Sequence, residues 1–179
     1  TAWRDGDFKD ADGSTHTLSA VDPVELEDIY DPGVREGAMI ALSQGRVIAV
    51  QKQYAADHDL SVGSRMRILF ARTGHSEFRV GAIFDDNNFG LFFISLDQYR
   101  DNFTTQQDQM ILARAPVGVS PDQAKAAAER ALADYPNLDV RPKAEYKDFV
   151  ASQIEQFLRV FYVLLAMAVI IAIFGIILT

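Results

Sequence analysis

The chain has no cysteine and only three histidines in 179 residues. Without cysteine it can form no disulfide, no thiolate nucleophile and no cysteine-ligated metal centre. Basic residues are also scarce, 17 Lys and Arg against 25 Asp and Glu, for a formal net charge of −8. That balance argues against a nucleic-acid partner, which calls for a basic stripe to displace counterions from phosphate. The histidines lie too far apart to suggest a site. His58 sits in Asp57-His58-Asp59, whose neighbouring side chains point in different directions on a helix, so it reads as solvated surface, as do His16 and His75 beside turns. There is no G-x-S-x-G elbow, no P-loop and no G-x-G-x-x-G, and Asp85-Asp86-Asn87-Asn88 lacks the calcium-loop glutamate, Leu96 standing in its place. No catalysis, cofactor or metal is expected.

One further absence is local. Every charged side chain lies at or before Arg159, and of residues 160–179 all but Gly175 and Thr179 are apolar. As a helix rising ~1.5 Å per residue, such a stretch spans about 30 Å, the thickness of the bilayer hydrocarbon. Its Leu, Ile, Phe and Val residues contribute an insertion gain of about 4 to 8 kcal/mol with no charge to offset it. A transmembrane helix is expected over 160–179, carrying Phe161, Leu164, Leu165, Ile170, Ile171, Phe174 and Gly175. The alternative, a buried central helix of a soluble protein, rarely runs this long without a polar position. The chain reads as a piece of a longer membrane protein.

What precedes this segment has ordinary globular composition. Thr1 to Gly13 is polar and rich in Asp and Gly, which predicts turns rather than core. Thr15 to Val21 reads as a strand, and Asp22-Pro23 as the start of a short helix. Strands are expected at Arg46 to Val50, Arg65 to Phe70 and Glu77 to Phe84, the last two as an antiparallel hairpin, with a helix over 51–59. Leu91 to Ile94 reads as a short strand running into a capping box at Ser95 and Gln98. Phe89, Leu91, Phe92 and Phe93 fit either a core strand or a docking edge for a partner, and docking requires Phe89 or Phe92 to be exposed. Gln109 to Ala115 is expected as a strand, Ser120-Pro121-Asp122-Gln123 starts a helix, and Leu138 to Arg141 suggests a strand after it, a βαβ-type unit. These elements imply an α+β fold, a mixed sheet with helices packed on it.

From Ala144 the pattern is helical, with Tyr146, Phe149, Val150, Ile154, Phe157, Leu158 and Phe161 at three- and four-residue spacing and no proline or glycine until Gly175. One continuous helix is expected, residues 144–159 forming a stalk in water below a domain of residues 1–143. A stiff helix transmits displacement where a Gly/Ser linker would absorb it. Tyr146 to Arg159 are therefore the candidate coupling residues.

In order along the chain, Ser19-Ala20-Val21-Asp22-Pro23, Gly45-Arg46-Val47-Ile48-Ala49-Val50, Leu60-Ser61-Val62-Gly63-Ser64, Phe78-Arg79-Val80-Gly81-Ala82-Ile83-Phe84, Gly118-Val119-Ser120-Pro121 and Ala172-Ile173-Phe174-Gly175-Ile176-Ile177 resemble the extracytoplasmic domain and following membrane helix of an FtsX-like/MacB-type ABC transporter permease. Leu178 departs from the family's pattern, which has Asn there. The resemblance implies a MacB-like periplasmic core fold with residues 1–159 outside the cell membrane. It also implies a permease dimer driven by a separate cytoplasmic ATPase and a role in export or partner regulation by mechanotransmission. A competing expectation is a membrane-tethered binding module, sensor or hydrolase anchored by the final helix. The two differ in the residues that come after Thr179, a short polar end for an anchor and further hydrophobic spans for a permease.

Overall fold

A computed structural model of the chain describes residues 1–86 and 90–177. In the last helix the side chains of residues 147, 148, 150, 151, 153, 154, 156, 170 and 172–177 lie outside that description. The chain divides into two compact units, Thr1–Arg114 and Ala115–Thr179.

The first unit is α+β. Its strands are β1 (Ala2–Lys9), β2 (Thr15–Val21), β3 (Val34–Gly37), β4 (Val47–Gln51), β5 (Arg65–Phe70), β6 (Gly74–Phe84), β7 (Phe92–Ser95) and β8 (Met110–Ile111). Its helices are α1 (Pro23–Ile29), α2 (Lys52–Asp57) and α3 (Leu96–Asn102), with a 3-10 turn at Met39–Ser43. The sheet is mixed: β2 and β7 pair in parallel, as do β4 and β6, and the other pairs are antiparallel. Its order is β2-β7-β4-β6-β5-β1-β8, and an additional β1–β2 pairing closes six of the strands into a ring. Closure removes most of the unpaired edge that an open sheet would expose.

Residue alternation assigns the buried strand side chains to one of two cores. In β4 all five residues are buried because both faces are covered: Ile48 and Val50 join Phe8, Leu18, Phe78 and Phe92 on one side, while Val47 and Ala49 join Trp3, Leu26, Leu42 and Phe93 on the other. Strand β6 changes side partway. Phe78 and Val80 belong to the first core but Ala82 and Phe84 to the second, because the β4–β6 register slips one residue at Gly81. A one-residue bulge inverts the facing of everything after it. Gly81 has no room for a side chain, since a Cβ there would overlap Val47, and its carbonyl accepts from Ala38 N–H at 3.3 Å where Gly37, at φ 74°, turns the chain.

Two expectations are corrected here. The opening segment turns as expected only at Asp10–Gly13; before it, β1 places Trp3 and Phe8 in the two cores, each at most 3% exposed. Its acids serve the β1–β2 ladder, Asp5 accepting from Trp3 Nε1 at 2.9 Å and Ser19 Oγ at 2.7 Å, and Asp7 from Thr17 Oγ1 at 2.8 Å. The βαβ-type unit is absent among the described residues. Strand β8 is only two residues long, and Leu138 to Arg141 forms no strand. No neighbouring strand offers Leu138 and Val140 a ladder for their backbone groups.

The second unit contains α4 (Pro121–Ala131) and α5 (Lys143–Ile177). The start of α4 is as its sequence implies, a capping box in which Ser120 Oγ accepts from Gln123 N–H at 3.3 Å and Gln123 Oε1 from Ser120 N–H at 3.2 Å. The backbone of α5 is continuous for 35 residues.

Candidate functional site

The foot of α5 is tied to its own unit by charge. Lys125 Nζ donates to Glu145 Oε2 at 2.6 Å, and that hydrogen bond raises the lysine pKa. Arg141, paired with Asp139, lies with its guanidinium carbon 3.7 Å from the centre of the Phe149 ring, a cation–π contact on a predicted stalk residue.

Along the stalk Tyr146, Phe149, Phe157, Leu158 and Arg159 are exposed, whereas the side chains of Val150 and Ile154 lie outside the described residues. The next stretch is more informative. Every residue from Val160 to Val169 is exposed, and none is charged. Phe161, Leu164 and Leu165 are 55–63% exposed, and Ile171 is 67% exposed. Ten residues make nearly three turns, so the apolar surface runs around the whole circumference. Ile170, Phe174 and Gly175 fall outside the described side chains. Among the described residues no helix is long and apolar enough to cross a membrane.

Of the predicted docking residues Phe89 and Phe92, Phe92 lies within the described residues. Phe92 is a core residue, 0% exposed, with its ring 5.0 Å from Phe8 and 4.7 Å from Tyr54 between centroids, which removes it from any docking edge. Phe89 lies outside the described residues.

A polar cluster that the sequence hides forms where the β1–β2 turn meets α2. Asp10 Oδ1 accepts from the backbone N–H of Asp12 at 3.0 Å and of Ser14 at 2.9 Å. Its Oδ2 lies 2.7 Å from His16 Nε2 and accepts from Tyr54 Oη at 3.3 Å. His16 is therefore not solvated surface as expected. It is half-buried and set among the rings of Phe8, Tyr54 and Phe92. His58 is exposed, as expected, yet its ring stacks on Tyr54 with centroids 3.9 Å apart and its Nδ1 lies 2.9 Å from the Tyr54 carbonyl oxygen.

Burial alone would raise the Asp10 pKa, but His16, the Ser14 N–H and Tyr54 together hold it below the usual carboxylate range. Burial, together with the Asp10 charge and hydrogen bond, pushes Tyr54 up to about 12. Asp10, Asp12 and His58 bring one potential ligand atom each within 4.8 Å of one another. Both Asp10 oxygens already carry two hydrogen bonds, which uses their acceptor capacity, and Arg65 and Arg67 line the same cleft. The chemistry is that of a pinned turn rather than an open ligand set.

No family model and no curated protein matches the chain. Among solved structures, the chain is similar to a domain of a protein described as a permease from Porphyromonas gingivalis. The two share 17% identity, 78% of this chain and 69% of that one are covered, and the TM-score is 0.49.

Replacing Asp10 by asparagine is expected to cost about 1–3 kcal/mol at pH 7, the penalty for leaving buried partners poorly satisfied. A carboxylate whose pKa is depressed by folding stabilises above its unfolded pKa of about 3.9, and the contribution fades as pH falls through the folded value. Urea unfolding at a series of pH values should therefore show native chain and Asp10→Asn converging below about pH 4.

Proposed function

We propose that the chain is the extracytoplasmic head, stalk and membrane helix of an FtsX-like/MacB-type ABC transporter permease subunit, a mechanical coupler without catalytic activity of its own. The observation that carries this reading is the all-round apolar surface of residues 160–169. A helix apolar on every side is stable only inside a core or in lipid. Lipid supplies that cover along the whole circumference, and in this reading residues 160–179 cross the cell membrane with residues 1–159 outside it.

The uninterrupted backbone of α5 supports the mechanical part. Tyr146, Phe149, Val150, Ile154, Phe157, Leu158 and Arg159 lie on the segment that would carry displacement between head and bilayer. The partners in this reading are lipid, a second permease subunit and a cytoplasmic ATPase that drives export or the regulation of a partner outside the cell.

The test is an insertion in the full-length permease. Four glycines after Gln153 remove about 4 kcal/mol of helix propensity and interrupt the stiff segment. Stimulated ATPase activity and the transport-linked function are expected to fall to basal levels, while four alanines, which keep the helix, retain more of both. Full function in the glycine variant would rule out rigid coupling.

A further inference from the structure

The outer face of the β5–β6 hairpin breaks a local rule of sheet stability. The register sets Arg65 opposite Arg79 and Arg67 opposite Glu77, all four exposed. Directly opposed residues point to the same face with Cβ atoms ~5 Å apart, and like charges so placed repel. These three arginines stand out in a unit with 11 Lys and Arg against 18 Asp and Glu.

Among the described residues, one of the three is neutralised. Arg65 donates to Glu77 Oε1 at 2.8 Å, the diagonal neighbour, which leaves Arg67 facing a carboxylate already engaged. Among the described residues, no side chain pairs with the guanidinium groups of Arg67 or Arg79. A groove of about 590 Å³ runs beside them, lined by Arg65, Arg67, His75, Ser76 and Glu77. A sheet that keeps opposed, unneutralised arginines at a cost in stability points to an anion that arrives from outside.

We propose that this face of the hairpin, Arg65, Arg67 and Arg79, binds an acidic polypeptide segment laid along it in extended form. Arg65 and Arg67 are two residues apart on one strand, roughly 6.8 Å, the spacing of alternate side chains in an extended peptide. Guanidinium groups at that spacing suit bidentate capture of carboxylates at alternate positions. Long polyanions fit less well. A nucleic acid or an anionic bilayer would press its remaining charge against the acid-rich surroundings within a Debye length of ~8 Å, whereas a short segment brings about as much charge as the patch neutralises.

Glu77 makes the idea separable from simple charge attraction, because it competes with the incoming carboxylates for Arg65. The experiment uses the full chain in phosphatidylcholine nanodiscs and a fluorescein-labelled peptide of alternating Glu and Ser, read by anisotropy at low salt. Its control is the Gln/Ser analogue. Arg67→Glu with Arg79→Glu should weaken binding about tenfold or more. Glu77→Gln, which removes the internal competitor, should tighten it about two- to fivefold. The proposal is overturned if the acidic peptide binds no better than its Gln analogue, or if the double variant binds as well as the native chain. It is also overturned if phosphatidylglycerol vesicles are captured through the same arginines while the peptide is not.

Discussion

Replacing Val169 by arginine is expected to abolish most stable membrane integration of the chain. The exchange swaps a residue that favours insertion by about 0.3 kcal/mol for one that opposes it by about 2.5–3.5 kcal/mol at the helix centre, where Val169 stands tenth of the twenty residues. The loss of about 3–4 kcal/mol is comparable with the whole gain of about 4 to 8 kcal/mol estimated for the segment. Val169 is 51% exposed, so in a helix surrounded by water the same change would remove little packing. Extraction of membranes at alkaline pH reads the difference directly. The arginine variant should move to the soluble fraction, whereas Val117→Arg, at a position 98% exposed outside α5, should stay with the membrane like the native chain. Equal retention of both variants would place the segment outside lipid.

Phe92→Ala should be the most damaging single change in the first unit, costing about 3–5 kcal/mol. The Phe92 ring has 0% exposure and meets Phe8, His16 and Tyr54, so truncation opens a cavity beneath the Asp10 cluster as well as in the core. Leu91, next to it and 39% exposed, is the control, and Leu91→Ala should cost about 0.5 kcal/mol or less. Urea unfolding of the two variants separates a core residue from a docking residue, since loss of a docking side chain would leave stability near the native value.

The helix starts were legible because each rests on a local chemical device. Asp22 accepts from Val24 N–H at 2.9 Å and Glu25 N–H at 3.1 Å, and Ser120 forms its capping box, as those residue types at those spacings imply. The β5–β6 hairpin was legible from alternation, whereas the mixed sheet was expected from a βαβ-type unit and owes its parallel pairs to β2–β7 and β4–β6 instead. Features that depend on distant partners could not be read. Asp5 and Asp7 look like turn residues until β2 supplies Ser19 and Thr17 to donate to them. The switch of β6 between cores rests on one extra residue at Gly81, and no periodicity in β6 alone reveals which strand it slips against. The Asp10 cluster joins residues up to 48 positions apart, so His16 and His58 read separately as surface. In α5, by contrast, the absence of charge after Arg159 is visible in the sequence and reappears as an apolar surface on every side.

Because the chain has no cysteine, single cysteines can be placed one at a time at each position from Val160 to Val169 of the chain in a membrane. A membrane-impermeant maleimide then reports which positions water reaches. Burial in lipid predicts that all ten positions resist labelling, with no dependence on the face of the helix they occupy. Labelling that rises and falls every three to four residues, or that reaches all ten, would contradict a membrane-embedded α5 and the coupling role built on it.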